Sequence, residues 1–333
     1  MQPTALVTGA AGFIGSHLSE TLVADGYRVV GIDAFRDYYP RVYKERNVEG
    51  LLATGEFLLH DVDLLALREP ESSDASLLRN SVRDADVVFH LAAQAGVRGS
   101  WGDDFHIYTD NNVLATQMLL EVAKDEGVHR FVYASTSSVY GDTDVLPMRE
   151  DAVCHPFSPY GVSKLAGEHL CYLYGRNFGV PTVAVRFFTV YGERQRPDMA
   201  FHRFIRMMRS NMAIPIYGDG GQTRDFTYVS DIAAGLVAAC GAPAGELLNL
   251  GGGSRVSLLD AIEVLGEVLG CAPRLDVREK QAGDVRDTWA SLEHSKELIG
   301  YKPQVSLAEG LAAEVEWLSA LSAEPGFPWG TEL

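Results

Sequence analysis

The chain has 333 residues and a formal net charge of −17, because 45 acidic residues outnumber 28 lysines and arginines. Broad nucleic-acid binding requires a basic face, and an anionic membrane repels a negative protein, so this charge argues against both partners. It does not exclude an anionic small molecule, because a pocket can be locally positive inside a negative protein.

The chain contains four cysteines: Cys154, Cys171, Cys240 and Cys271. None belongs to a CxxC pair or to a Cys/His pair at ligand spacing, so the sequence predicts no zinc or other metal site. Free thiols are typical of a reducing compartment. The first residues lack the charged and apolar regions of a signal peptide, and no apolar run approaches the ~20 residues of a membrane span. We therefore expect a soluble, cytoplasmic protein.

The first half of the chain alternates apolar strands with helical patterns. Strands are predicted at 4–9, 27–33, 57–63, 86–93, 130–136 and 181–188, and helices at 13–26, 41–53, 75–82, 105–127 and 159–178. This alternation predicts a parallel sheet that is covered by helices on both faces, which is the doubly wound α/β class.

The alternation stops after Phe188. The predicted elements that follow are a charged loop at 189–199, helices at 200–210, 231–241, 257–270 and 306–321, and a turn-rich stretch at 214–230. We expect residues 1–188 and about 225–250 to form the sheet domain. Residues from about 189–224 and 251–333 are expected to form a smaller C-terminal domain.

The segment TGAAGFIGS places Gly9, Gly12 and Gly15 between the first predicted strand and the first predicted helix. Glycines at such a turn let the backbone approach a pyrophosphate, whose charge is stabilised by the amides at the helix N-terminus. Phe13 and Ile14, which lie between the last two glycines, complete the predicted contacts with a dinucleotide.

Acidic residues end the second and third predicted strands. Asp33 is placed to accept hydrogen bonds from a ribose diol, and its charge would repel a 2′-phosphate, so the sequence favours NAD over NADP. Arg36, three residues later, weakens that preference. Asp61 and Val62 are candidates to receive the adenine edge, with a plain exposed acid as the alternative for Asp61.

A second motif, YGVSK, gives Tyr160 and Lys164 at positions i and i+4 of a predicted helix, where the two residues share one face. A lysine ammonium beside a phenol favours the phenolate, so Tyr160 is expected to act as a base near neutral pH. Upstream, ASTSSVYG places Thr136, Ser137 and Ser138 at the carboxyl end of a strand, where ligands of parallel sheets bind. A hydroxyl there can hydrogen-bond the reacting group.

The motifs TGAAGFIGSH, HLAAQ, STSSVYG, YGVSK, RFFTVYG and GDGGQTRDFTYVSD occur in order over nearly the whole chain. In this combination the chain resembles the extended short-chain dehydrogenases/reductases that act on nucleotide sugars. The stretches HLAAQAGVR, DYYPRVYKERN and VYGERQRPDMAFHRF are most similar to the UDP-glucuronate 4-epimerases. The resemblance implies a sheet domain of the Rossmann type that binds NAD, and a smaller domain that binds the nucleotide sugar.

By the same resemblance, Thr136 is the hydroxyl partner of the catalytic Tyr160, and Lys164 also holds the nicotinamide ribose. Related dehydratases carry Asp and Glu at the next two positions, and UDP-glucuronate decarboxylases typically carry Glu at the second. Here both are serines, Ser137 and Ser138, which argues against water loss and decarboxylation. The implied reaction oxidises C4, turns the 4-keto sugar and reduces its other face, so that NAD is recycled.

A 4-keto uronic acid is a β-keto acid, which loses CO₂ when its carboxylate bond stands perpendicular to the ketone plane. An enzyme that keeps the carboxylate must hold it in another orientation, and a bidentate arginine suits that task. Arg196 in RQRPD is the first candidate and Arg194 the second, with a loop ion pair, such as one to Asp198, as the alternative. Ser137 and Ser138 are candidates to add hydrogen bonds.

Side chains further along the chain match positions with which the family binds the nucleotide. Arg224 in TRDF and Arg286 in GDVRDTWA resemble pyrophosphate ligands, with ion pairs to the following aspartates as the alternative. Tyr217 matches a position that stacks on uracil, or it is a core tyrosine. Thr189 matches a contact with the sugar nucleotide, or it is a turn hydroxyl. Arg98 faces a phosphate or forms a structural salt bridge.

The sequence thus predicts an NAD-dependent isomerase that converts UDP-glucuronate to UDP-galacturonate without decarboxylation. The alternatives are a UDP-glucuronate decarboxylase, a 4-epimerase of neutral UDP-sugars and a non-catalytic NAD-sensing protein. We expect a homodimer, because the family often pairs through the helices that correspond to 105–127 and 159–178. We also expect Arg196, Arg224 and Arg286 to form a basic pocket, with the surplus acids on the outside.

Overall fold

The computed structural model describes residues 2–280, 283–324 and 327. Residues 1, 281–282, 325–326 and 328–333 lie outside the described part, so the end of the predicted C-terminal domain is not covered. The first half contains β1 (Thr4–Thr8), α1 (Phe13–Ala24), β2 (Arg28–Asp33), α2 (Arg41–Leu52), β3 (Phe57–Asp61), α3 (Ser73–Arg83), β4 (Val87–His90), α4 (Phe105–Tyr108), α5 (Ala115–Glu126), β5 (Phe131–Thr136), α6 (Pro159–Phe178) and β6 (Thr182–Phe187).

The second half is built from shorter strands and helices. They are β7 (Val190–Tyr191), α7 (Ala200–Arg209), β8 (Ile214–Tyr217), β9 (Thr223–Arg224), β10 (Thr227–Tyr228), α8 (Val229–Ala239), β11 (Leu247–Leu250), β12 (Val256–Ser257), α9 (Leu258–Leu269), β13 (Leu275–Arg278), α10 (Glu293–Ile299) and α11 (Leu307–Ser322). The sequence did not predict α10, because one face of a seven-residue helix carries too few apolar positions to establish a period.

Each of the six strands predicted in the first half is present within its predicted range. The single helix predicted at 105–127 is interrupted, because a π-helical turn at Thr109–Leu114 joins α4 to α5. Helix α3 begins earlier than predicted, since Ser72 caps it by accepting a hydrogen bond from the amide of Ala75. Helix α6 begins where Ser158 accepts a hydrogen bond from the amide of Gly161, and Pro159 occupies the first turn.

Seven strands form one parallel sheet in the order β11-β6-β5-β4-β1-β2-β3. The chain runs outward in one direction through β1, β2 and β3, and in the other through β4, β5 and β6. The predicted doubly wound class is therefore confirmed. Strand order reverses between β1 and β4, and a sheet of this kind binds its ligand beside that point, at the carboxyl ends of the strands.

Two apolar cores cover the two faces of the sheet. Ala5 and Val7 of β1 point into the core under α1 and α8, whereas Leu6 points into the core under α3, α5 and α6. This alternation is the two-residue period of a strand. A third core lies in the second half, where α7, α9 and α11 enclose side chains such as Phe201 and Leu265. Among the described residues, no helix combines the length and apolar character needed to cross a membrane.

Candidate functional site

A cavity of about 260 Å³ lies at the point where the strand order reverses. Ten of the site residues predicted from the sequence line it, and so does Arg36. The ten are Gly9, Gly12, Phe13, Ile14, Gly15, Asp33, Val62, Tyr160, Lys164 and Arg196. The fold therefore brings the glycine turn, the acid that ends β2 and the Tyr–Lys pair of α6 into one space, although these segments are far apart in the chain.

The glycine turn is too crowded for larger residues. A Cβ at Gly15 would lie 2.1 Å from the carbonyl oxygen of Gly9, and a Cβ at Gly9 would lie 2.9 Å from the amide nitrogen of Ala92. Gly9 also has a φ of +72°, which residues with side chains rarely adopt. Gly12 is the N-cap of α1 and makes no side-chain hydrogen bond to the first amides of the helix, as an N-terminus that binds a phosphate requires.

Asp33 is buried at the end of β2 and is held by three donors. It accepts hydrogen bonds from the amides of Ala11 (3.2 Å) and Phe35 (2.8 Å), and Lys44 places its Nζ 3.0 Å from the carboxylate. Lys44 also lines the cavity, and sequence reasoning did not find it. Its separation from Asp33 carries no recognisable spacing, because the loop between β2 and α2 brings the two side chains together.

The structure does not place Asp61 in the cavity. Its carboxylate lies 2.7 Å from Nη1 of Arg41, and the side chain is half exposed. Val62 lines the cavity, together with the following Asp63 and Leu64. The alternative of an exposed acid in an ion pair therefore describes Asp61 better than a contact with adenine does.

The catalytic candidates meet above the end of β5. Tyr160 lies within hydrogen-bonding reach of Thr136, and Thr136 accepts a hydrogen bond from the amide of Ser138 at 3.2 Å. Lys164 lies one helical turn further and is buried, with its Nζ 4.4 Å from the centre of the Tyr133 ring. Tyr160 and Lys164 thus line the same cavity from one helix, and Thr136 ends the neighbouring strand β5.

The pKa of Tyr160 is shifted in the direction opposite to that expected from the sequence. Burial raises the pKa of Tyr160 above its ordinary value, and the groups that oppose this rise are the hydrogen bond to Thr136 and the charge of Arg196. Lys164 is not among the groups that shift the phenol's pKa in the described structure. Burial instead lowers the pKa of Lys164 to about 8, because the ammonium is removed from water.

The two serines after Thr136 lie in a short 3₁₀ turn, Ser137–Val139, that follows β5. Ser138 Oγ accepts a hydrogen bond from Thr136 Oγ1 at 3.2 Å, and both serines are half-buried. The preceding Ser135 lines the cavity and donates to the buried carboxylate of Glu168. Ser137 and Ser138 therefore border the catalytic hydroxyl rather than the glycine turn.

The structure separates the two arginines proposed to hold a carboxylate. Arg196 lines the cavity that contains Tyr160, and its Nε and Nη2 each lie 3.0 Å from a carboxylate oxygen of Asp198. Arg194 turns the other way, so that its Nη2 lies 2.5 Å from Glu20 of α1. The ion pair with Asp198 and a role at the cavity are compatible, because a guanidinium carries five N–H donors on more than one edge.

A second group of predicted residues lies apart from this cavity, around β8 and β9. Arg224 donates to the backbone carbonyls of Thr223 (2.8 Å), Val285 (3.0 Å) and Arg286 (3.2 Å). The Arg286 side chain is exposed and lies 2.7 Å from Asp219. A β-bridge between Thr223 and Asp287 places Arg224 beside Arg286. A site in which both arginines bind one pyrophosphate needs this arrangement.

Tyr217 and Arg98 complete this second group. The Arg98 guanidinium lies 4.6 Å from the centre of the Tyr217 ring, and its Nη2 lies 2.8 Å from Asp284. Arg98 therefore belongs to the second group through a salt bridge and a ring contact. Thr189 follows β6, is half-buried, and accepts a hydrogen bond from the amide of Thr227 at 3.0 Å.

The expectation that acids lie away from the three arginines is wrong. Asp198 pairs with Arg196 and Asp219 pairs with Arg286. Burial lowers the pKa of Arg224, and Asp284, the largest opposing charge, counteracts that shift. A guanidinium removed from water needs compensating charge or hydrogen bonds, so acids accompany these arginines. In the part of the chain that the structure describes, no cluster of three or more potential ligands is placed to hold a metal ion.

Comparison with known proteins gives consistent matches over the whole fold. The model of the NAD dependent epimerase/dehydratase family matches residues 5–251. An uncharacterized UDP-glucose epimerase, YtcB, of Bacillus subtilis (strain 168) is 46% identical over 319 residues, which cover 95% of this chain and 98% of that protein. The UDP-glucuronate 4-epimerase of Thermodesulfobacterium geofontis (strain OPF15) is 38% identical over 94% of this chain and 95% of that protein.

A solved structure shows the same similarity in three dimensions. The UDP-glucuronic acid 4-epimerase from Bacillus cereus, in complex with UDP-glucuronic acid and NAD, superimposes with a TM-score of 0.90 and is 44% identical. The match covers 96% of this chain and 99% of that one.

Proposed function

The chain belongs to the NAD dependent epimerase/dehydratase family, and from that premise we propose that it is an NAD-dependent isomerase that interconverts UDP-glucuronate and UDP-galacturonate. The observation that carries this proposal is one cavity that contains the glycine turn, Tyr160 with Lys164, and Arg196. The first two suit reversible oxidation of a hydroxyl, and the third suits a substrate that carries a carboxylate.

The residues of the cavity fit NAD. The glycine turn has no room for a Cβ, and the N-terminus of α1 has no side-chain cap. Asp33 and Lys44, which are paired in the cavity, are proposed to hold one ribose, and Lys164, which lines the same cavity, is proposed to hold the second. When bound, NAD supplies reversible hydride acceptance from C4 of the sugar. We propose that the sheet domain, 1–188 and about 225–250, forms this half of the site.

Proton transfer falls to Tyr160. Its oxygen takes the proton of the C4 hydroxyl, and the Thr136 hydroxyl, rotated from Ser138 to donate to Tyr160, stabilises the phenolate. The positive charge of Arg196 assists, since it also lowers the pKa of the phenol. After the 4-keto sugar has turned its other face to the cofactor, Tyr160 returns the proton to the C4 oxygen. No net redox change results.

Arg196 is the residue proposed to hold the substrate carboxylate so that it is not lost as CO₂. Asp198 binds the edge of the guanidinium formed by Nε and Nη2, which leaves the Nη1 edge directed to a second carboxylate. A bidentate contact on that edge fixes the plane of the substrate carboxylate and keeps its bond away from the perpendicular orientation that releases CO₂. Ser137 and Ser138 are placed beside Thr136 to add hydrogen bonds.

The smaller domain, about 189–224 and 251–333, is proposed to bind the UDP group. Arg224 and Arg286 lie together and offer guanidinium groups to the pyrophosphate, in place of the present contact of Arg286 with Asp219. Tyr217 offers a ring to uracil, with Arg98 over one of its faces. Thr189, at the junction of the domains, is proposed to contact the sugar nucleotide.

The proposed function is tested by incubating the protein with UDP-glucuronate and NAD⁺ and following the products by NMR. The expected result is an equilibrium mixture with UDP-galacturonate and without CO₂ or a UDP-pentose. A UDP-pentose as the main product would identify a decarboxylase. Because one relative is named a UDP-glucose epimerase, UDP-glucose is run in parallel. Faster turnover of UDP-glucose would identify an epimerase of neutral UDP-sugars.

Cofactor choice is expected to depend on Asp33. The variant Asp33→Asn removes the charge that repels a 2′-phosphate and leaves the Lys44 ammonium beside the ribose without its counter-charge. We expect the ratio of the Kd values for NADP and NAD to fall at least tenfold, which corresponds to about 1.4 kcal/mol and is modest for a charged hydrogen bond. Calorimetric titration with both cofactors measures this ratio. Asp61→Asn, outside the cavity lining, is the control, and an unchanged ratio in Asp33→Asn would contradict the assignment.

A cytoplasmic homodimer is proposed as the working form of the protein. All four cysteines are free thiols, as a reducing compartment favours. Val162 and Leu173 are exposed on one side of α6, where a second copy would cover them. We expect sedimentation velocity to give twice the chain mass for the wild type and a monomer for Leu173→Arg. A monomeric wild type would contradict this proposal.

A further inference from the structure

Glu314 is a buried carboxyl that the proposed reaction does not use. It lies within α11 and has no exposed surface. One oxygen accepts a hydrogen bond from the amide of Gly192 at 3.0 Å, whereas the other has no partner among the described residues. Burial of a carboxyl with an unpaired oxygen lowers the stability of the fold. The role of Glu314 therefore lies in its single hydrogen bond, which it accepts from Gly192.

Gly192 begins the loop that ends at Asp198 and carries Arg196, which we call the arginine loop. Its backbone is unusual, because Gly192 has a φ of +133° and Arg194 has a φ of +65°. Arg194 has a side chain, so this left-handed conformation is strained. Strained loops keep one conformation only when surrounding contacts impose it, and they are found at functional sites.

Besides Glu314, the contacts that impose it come from two elements, β10 and α1. Glu193 accepts a hydrogen bond from Tyr228 Oη of β10 at 2.6 Å. The carbonyl of Glu193 lies 2.9 Å from Nε2 of His17 on α1, and Arg194 pairs with Glu20 of the same helix. Each contact holds a position just before Arg196, so the guanidinium is placed by the loop and not by its own helix or strand.

Helix α11 is itself fixed against the strands that flank the arginine loop. Gly310, one turn before Glu314, lies so close to β7 and β10 that a Cβ there would be 2.4 Å from Tyr191 Oη and 2.6 Å from the Tyr228 ring. Tyr191 Oη also donates to the carbonyl of Ser306, which caps α11, at 3.1 Å. The carboxyl of Glu314 is therefore held at a fixed distance from Gly192.

We propose that Glu314 and Tyr228 are positioning residues that hold the arginine loop, and that they thereby help to decide whether the 4-keto intermediate keeps its carboxylate. The proposal rests on the proposed role of Arg196. If the loop moves, the guanidinium no longer fixes the carboxylate plane. The C5–C6 bond then breaks, CO₂ leaves, and its electron pair forms an enolate with the C4 ketone. The enolate takes a proton from water at C5, which gives a UDP-4-keto-pentose. Return to C4 of the hydride removed in the first half of the reaction then gives a UDP-pentose, with no net redox change.

Two variants at Glu314 test the proposal. Glu314→Gln keeps an oxygen that accepts from Gly192, and Glu314→Leu removes it with little change in size. We expect Glu314→Gln to give wild-type products. We expect Glu314→Leu to raise the ratio of UDP-pentose and CO₂ to UDP-galacturonate at least tenfold, with an unchanged Kd for NAD. A folded Glu314→Leu protein with the wild-type product ratio would overturn the proposal.

Tyr228→Phe keeps the test decisive if Glu314→Leu does not fold. It removes only the hydroxyl that donates to Glu193 and retains the ring that packs on Gly310. A rise in the product ratio supports the proposal, and the wild-type ratio contradicts it. Arg196→Ala is measured in parallel. If Arg196→Ala releases CO₂ and the positioning variants do not, this inference alone fails. If Arg196→Ala releases none, the proposed role of Arg196 fails as well.

Discussion

Tyr160→Phe is expected to lower the turnover of UDP-glucuronate by at least about 10³-fold, within the range that positioned acid–base groups contribute. The phenol oxygen is the only atom removed, so the ring keeps its edge contact with Tyr108, at 6.2 Å between centroids. The Kd for NAD is expected to change little, because the glycine turn and Lys164 are untouched. Product formation followed by NMR, together with a NAD titration, measures both quantities.

The control for this prediction is Tyr172→Phe, which removes the same atom from an exposed tyrosine on the same helix. It is expected to retain wild-type turnover. Full turnover in Tyr160→Phe would show that another group moves the proton. In the wild type, we expect kcat/KM to increase with pH through neutrality, since burial raises the pKa of Tyr160 and only the deprotonated phenol accepts the proton. A kcat/KM that decreases over that range would contradict this role.

Arg196→Ala is expected to change the product and not only the rate. Without the guanidinium the carboxylate of the 4-keto intermediate rotates freely, so UDP-pentose and CO₂ appear beside UDP-galacturonate. We expect turnover to UDP-galacturonate to fall by about 10- to 100-fold, as the loss of a charged hydrogen-bonded contact of 1.5–3 kcal/mol predicts. Released CO₂ and NMR of the nucleotide sugars report the two outcomes separately.

Two further variants, Arg196→Lys and Arg194→Ala, test whether the planar guanidinium at position 196 is required. Lysine keeps the charge but loses the planar fork, so it cannot hold Asp198 and a second carboxylate through separate edges. We expect it to retain part of the turnover and still release CO₂. Arg194→Ala is expected to have the smaller effect on the products, because the Arg194 guanidinium pairs with Glu20. Wild-type turnover without decarboxylation in Arg196→Ala would refute the assignment.

Tyr160 shows what spacing in the sequence can and cannot predict. The spacing of YGVSK placed Tyr160 and Lys164 on one helical face, and this arrangement is present. The predicted direction of the pKa shift was wrong, because burial raises the pKa of the phenol by more than Thr136 and Arg196, a residue of a distant loop, lower it. Spacing along a helix predicts which side chains are neighbours, but it does not predict how much water remains around them.

The same limit applies to Asp33 and the arginines. Lys44 reaches Asp33 through a loop, and the left-handed backbone at Arg194 turns the side chains of Arg194 and Arg196 towards different elements. Arg224 lies beside Arg286 because β9 bridges a segment more than 60 residues away, at Thr223 and Asp287. These contacts join residues that are far apart in the chain, so no local sequence pattern predicts them.

The sequence by itself determined the doubly wound sheet, the glycine turn and the Tyr160–Lys164 pair. Each depends on residues that are close in the chain, where periodicity and spacing are set by the geometry of one strand, turn or helix. The tertiary structure alone decided which arginine reaches the cavity, which acids accompany the arginines, and that Glu314 of α11 holds Gly192. These features arise from packing between segments that are distant in the chain. Burial then shifts the pKa values of the groups that the packing encloses.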